Sequence, residues 1–166
     1  MSAVVSPPNP TLTQNPSASD LNRYLGKNID DICDCEYHND EDNHCAHFVS
    51  HVLGFSFGYT CKHMTSKGTK GASIRVHQLF SKCSEVGRWA DRKASVCLAF
   101  VTAAGNVKLR SKVMSNVPRK HVGIYVNETI WHYSNMLDQV VTQTPEAFSK
   151  HYTGSNIALF YGTFPK

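Results

Sequence analysis

Cys45, His121 and His132 are the residues of this chain whose types and surroundings can do covalent chemistry. Cys45 opens the run CAHFVSHVLG, and the two histidines fall in a second run, KHVGIYVNETIWHYS. A free thiol has a pKa near 8.5, so only a few per cent is thiolate at neutral pH; a helix N-terminus and an imidazole together lower it by roughly one to five units. His121 is the expected base. It takes the thiol proton, pairs with the thiolate and later protonates a leaving amine. Its second ring nitrogen needs a partner that fixes the tautomer. His132, eleven positions on, lies on the same face across a hairpin and is the expected orienter, with Asp138 as its rival. The backbone N–H of Cys45 is the expected oxyanion donor. Asn39, Asn43 and His44 are candidates for a second donor. Tyr37 and His44, close before Cys45, are candidates for lining a substrate pocket. The chemistry these groups point to is that of a cysteine hydrolase.

The elements that must place them are legible in the hydrophobic periodicity. A helix is expected from about Cys45 to Leu53, stopped by Gly54. On it Ala46, Phe48, Val49, Val52 and Leu53 share the side of Cys45, so the thiol faces the body of the fold. His47, Ser50 and His51 fall roughly opposite and read as solvated or lightly packed. Ser19 is the expected cap of an earlier helix that buries Leu21, Tyr24 and Leu25. Residues 30–42 read as an acidic solvated loop, and 54–72 as a glycine-rich one. Ser73 is expected to cap a helix running to about Val86, with Arg75 and His77 on its surface. Ser95–Val101 reads as a central strand and 102–118 as an exposed excursion. Strands follow at 121–126, 130–134 and 157–163, with a turn at Asn127–Glu128 and a short helical stretch at 147–152. Helices followed by strands imply an α+β fold with an antiparallel sheet.

A chain of 166 residues is one domain with room for a core. Residues 1–18, with Pro7, Pro8, Pro10 and Pro16, read as a flexible leader, and 19–166 as the single catalytic domain. The beginning of the chain lacks the basic and apolar regions of a secretory signal, so synthesis in the cytoplasm is expected. No run is apolar enough to span a bilayer. The formal charge of +4 suits an anionic polymer such as a cell wall, and no basic stretch is dense enough to imply nucleic acid. Of the six cysteines, most are expected to stay reduced, with Cys83 and Cys97 in the core. A bridge from Cys33 or Cys35 to Cys61 is the alternative. His47 and His51 have the i, i+4 spacing of a metal pair, with Cys33, Cys35 or His38 in range. There is no HExxH and no pair of CxxC motifs, and neither a metal nor any other cofactor is expected.

HCAHFVSHVLG resembles the cysteine motif of the NlpC/P60 peptidases, D/N-C-S/A-x-F-V followed by a helix. KHVGIYVNETIWHYS resembles their H-V-G-I-Y and V-H-A-S pair. SIRVHQLFSKCSEVGRW is similar to the helix and linker before the family's first core strand, and SVCLAFV takes the place of G-D-L-V-F-F. The likeness runs over residues 20–165. It departs at His44 and His47, where the motif usually has acidic and serine neighbours, and in a gap from His121 to His132 one residue shorter than usual. The resemblance implies a papain-like core with N-terminal helices on an antiparallel sheet. It implies Cys45 as nucleophile, His121 as base and His132 as orienter. The activity it implies is cleavage of amide bonds in peptidoglycan stem peptides or cross-links, commonly between γ-D-Glu and a diamino acid. The chain's size is similar to that of stand-alone amidase effectors of type VI secretion. That likeness implies export to a target cell's periplasm and a cognate immunity protein as partner.

Overall fold

Ser17, not Ser19, starts the first helix. The computed structural model of the chain describes residues 15–33, 43–61 and 71–165; most of the expected leader lies outside them, as do Tyr37, His38, Asn39 and Cys35. Helix α1 (Ala18–Asn22) is closed by a reciprocal capping box: Asp20 N–H donates to Ser17 Oγ, and Ser17 N–H donates to the Asp20 carboxylate. Two orphan N–H groups are thereby satisfied, which a cap at Ser19 would leave open. Leu21 and Tyr24 are buried as expected, whereas Leu25 is exposed.

Helix α2 (Cys45–Leu53) has the expected bounds and ends at Gly54, whose φ of 79° is the left-handed conformation glycine adopts without strain. The next helix, α3 (Val76–Lys82), is shorter than expected. Ser73 does not cap it. Its hydroxyl is spent on the loop instead, donating to the Phe57 carbonyl and accepting from the Phe57 N–H.

The strands form one six-stranded antiparallel sheet. They are β1 (Val86–Arg88), β2 (Val96–Ala103), β5 (Lys120–Val126), β6 (Thr129–Ser134), β7 (Gln139–Gln143) and β8 (Ile157–Gly162), in the order β1-β8-β2-β5-β6-β7. A separate two-stranded ribbon, β3 (Val107–Lys108) with β4 (Val113–Met114), occupies the expected excursion. The apolar run Val96–Ala103 lies between β8 and β5, buried on both sides. Asn127 and Glu128 make the turn between β5 and β6 with φ of 44° and 71°, the two left-handed residues that match the twist of a tight hairpin.

Two cores follow from strand alternation. Val122, Ile124, Trp131 and Tyr133 face α2 and α3 in the larger one. Ala99, Val101, Tyr125 and Ile130 face the other way, onto Phe148 of the short helix α4 (Pro145–Phe148). The architecture is α+β, with few helices on a mostly antiparallel sheet. Among the described residues, no helix is long and apolar enough to cross a membrane.

Candidate active site

The first residue of α2 is Cys45, and its neighbours fix where the thiol sits. His44 N–H donates to Asn135 Oδ1 at 3.2 Å, tying the helix start to the end of β6. On the other side, the Val122 and Ala46 backbone N–H groups lie close enough to the sulfur to favour its thiolate. The start of α2 therefore bridges β5 and β6 where they part: their register runs only from Ile124–Val126 against Thr129–Trp131.

His121 and His132 are brought together at this end of the sheet. His121 Nε2 lies 2.9 Å from His132 Nδ1. Gly123 makes the approach feasible. A Cβ there would come within 2.5 Å of Ile130 Cγ2, 2.9 Å of the Trp131 carbonyl and 3.0 Å of His132 Cβ, so only glycine lets β6 lie this close. Both rings face the smaller core, packed on Phe148, and His151 stacks on His121 with centroids 4.1 Å apart. Burial first, then the neighbouring His132 and His151, hold the His121 imidazole well below the ordinary histidine range. Burial likewise lowers His132 to about 4.

Cys45 and His121 are not hydrogen-bonded to each other. His121 Nε2 faces His132, and its Nδ1 is buried and makes no hydrogen bond. The sulfur packs with the helix-side core, while the His121 ring turns to the other side of β5. In this arrangement burial pushes the Cys45 thiol up to about 11, and the nearby N–H groups and Lys120 only partly oppose that. The Cys45 N–H, expected to await an oxyanion, donates instead to Asn43 Oδ1 at 3.0 Å.

A small cleft of about 120 Å³ leads to Cys45 and is lined by Asn43, Ile74, Arg75, Val76, Pro118 and Lys120. Arg75, expected on a helix surface, thus lines the cleft that leads to Cys45, as the residue just before α3. His44, a pocket-lining candidate, is instead fully buried, with its Nδ1 3.0 Å from His47 Nδ1. A larger cavity of about 580 Å³ opens beside His132, His151 and Gln143. Asp138 does not serve the dyad: its Oδ1 accepts from Tyr133 Oη at 2.8 Å. Trp131 points away from His132 and donates to Asn22 Oδ1.

Sequence reasoning missed Asn43 as the partner of the Cys45 N–H, Arg75 and Lys120 as cleft residues, and His151 and Gln143 beside the dyad. Its place two residues before the first residue of α2 is a visible signal for Asn43. The others come from segments whose pairing no local pattern shows. Compared with protein-family models, curated proteins and solved structures, the chain matches none of them.

Proposed function

We propose that the chain is a cysteine hydrolase that cleaves amide bonds of peptidoglycan stem peptides or cross-links, with Cys45 as nucleophile, His121 as base and His132 as its orienter. The observation that carries this reading is the 2.9 Å contact between His121 Nε2 and His132 Nδ1, which leaves His121 Nδ1 buried and unbonded. A neutral His121 that donates from Nε2 to His132 has its Nδ1 lone pair open for a thiol proton. His132 then carries its own proton on Nε2, toward the Gln143 side chain that raises its proton affinity.

The resting arrangement is a closed one. For acylation, Cys45 must turn from the Val122 N–H toward His121 Nδ1. Asn43 Oδ1 must also yield the Cys45 N–H to the substrate carbonyl oxygen. Cys45 Sγ then bonds the carbonyl carbon as its proton passes to His121 Nδ1 and on to the departing amine nitrogen. Water attacks the thioester, its proton is taken by His121, and the acid and free thiol are released. Arg75 and Lys120 give the cleft positive charge, which suits the carboxylates of a wall peptide. Delivery to a rival's periplasm and neutralisation by an immunity protein are part of the same proposal, carried by the resemblance alone.

Digestion of purified sacculi by the full chain and by Cys45→Ala and His121→Ala, followed by separation of the released fragments, tests it. New fragments from the unmodified chain and none from either variant are expected. Intact walls from every wall chemotype would end the substrate claim. An acyl probe that labels Cys45 while walls stay intact would move the same chemistry to a different amide or ester.

A further inference from the structure

The face of α2 that sequence periodicity leaves to solvent is covered. His47 and Ser50 are fully buried and His51 is half-buried. Two segments from either side of the helix reach them. The first is the 3₁₀ turn Ile29–Asp31, which leads into Cys33 and is anchored by the Ile29 N–H donating to Tyr133 Oη. The second is the stretch around Cys61, held by Cys61 N–H to the Ala72 carbonyl and Ile74 N–H to the Tyr59 carbonyl. Cys33, His47, His51 and Cys61 each point one donor atom to a common centre, and all four atoms lie within 4.8 Å of one another.

We propose that these four side chains form a structural zinc site, closed and separate from the Cys45 cleft. Two thiolates and two imidazoles are the donor set of tetrahedral zinc, whose bonds of about 2.0–2.3 Å set ligand-to-ligand spacings of roughly 3.3–3.8 Å. Cys61 Sγ and His51 Nε2 already stand 3.7 Å apart. The surroundings are those of ligands as well. The Ala72 N–H donates to Cys61 Sγ at 3.2 Å and fixes its position. His47 Nδ1 is engaged by His44 at 3.0 Å, which fixes its ring and leaves Nε2 as the nitrogen a cation takes. Among the described residues no carboxylate belongs to the set, and thiolates with imidazoles suit a borderline-soft ion over magnesium or calcium. Cys33 and Cys61 are not joined in a disulfide. Binding releases the two thiol protons to solvent and involves no change of oxidation state. Zinc at this point pins two separate segments to the helix that carries Cys45.

The full chain, purified without chelator from zinc-supplemented culture, is assayed for metal content, and the stripped chain is titrated with cobalt(II). About one zinc per chain and a cobalt spectrum with thiolate charge-transfer bands and the strong visible absorption of a tetrahedral centre are expected. Cys45→Ala should bind metal like the unmodified chain, and Cys61→Ser should lose the tetrahedral spectrum. Because Cys61→Ser can also fail to fold, His51→Cys is read alongside it: it keeps the metal and gains thiolate charge-transfer intensity. A metal-free unmodified chain, a weak octahedral cobalt spectrum, or a Cys33–Cys61 disulfide found by mass would overturn the site.

Discussion

The two sides of helix α2 hold similar chemical groups in opposite states. On its outer side, two thiols and two imidazoles from three segments converge until their donor atoms share one small volume. On its sheet side lie one thiol and two imidazoles, of which only the imidazoles are bonded to each other. A structural metal site is satisfied by convergence alone. The proposed catalytic site needs a reacting pair that can be joined and parted, and here the thiol is held apart by Val122, Asn43 and the surrounding core. The difference separates a fixed point of the fold from a place where the fold must move.

The sharpest way to break this contrast is to strip the outer side. Chelation of the metal, or Cys61→Ser, should cost several kcal/mol and lower the melting temperature by about 10 °C, taking roughly 2–4 °C per kcal/mol for a domain of this size. Thermal denaturation with and without chelator reads it, and an unchanged curve would make the two sides equivalent. The sheet side should respond to acid. Burial depresses His132 from the usual 6.5 to about 4. The unfolded chain therefore binds a proton at a pH where the folded one does not. Its contribution is intact above pH 6.5 and is lost as the pH falls through about 4, by up to ~3 kcal/mol. Urea titrations from pH 7 to 4 measure it, and replacing His132 by Gln should flatten the slope.

A smaller effect is expected at Gly123→Ala. The added methyl group must push against the Trp131 carbonyl and His132 Cβ, costing about 1–3 kcal/mol and separating His132 from His121. Loss of any wall-cleaving activity should exceed what that loss of stability explains. The smallest effect should come from Asn43→Ala. Removing the acceptor of the Cys45 N–H should cost about 1 kcal/mol, as for other helix-start acceptors. It should also speed alkylation of Cys45 by iodoacetamide, because Asn43 lines the cleft. A rate that does not rise means the thiol is closed off by something other than this side chain.

How far these features were legible in the sequence depended on whether they are local. Gly54 stops α2 where a left-handed residue is needed, and Asn127–Glu128 turns β5 into β6 with the expected residues. Alternation in Lys120–Val126 and the apolar run of β2 gave the centre of the sheet. β7, QVVTQ, carries too little apolar alternation to be read, and β1 is three residues long with a glycine at its middle. Cys83 and Cys97 are in the core as expected. The outer side of α2 was misread for a physical reason. Polar side chains at helical spacing look the same whether water or a second layer of chain covers them, and Cys33 and Cys61 belong to no compact motif. A helix started at Ser73 puts Arg75 on its surface. Moving the start to Val76 brings Arg75 to the cleft. Nearness of His121 to His132 followed from hairpin spacing, whereas the orientation of Cys45 depended on packing that spacing does not encode.

Eight of the nine residues of α2 are buried, and this has a consequence for how the molecule breathes. Amide hydrogens on a helix with an exposed side exchange with solvent through small local openings; those on a helix enclosed all round must wait for a large cooperative unit to come apart. With its outer ligands loaded, α2 should exchange as slowly as the central strands. With them stripped, its protection should fall while that of β2 and β5 stays, turning one helix into the first piece of the molecule to let go.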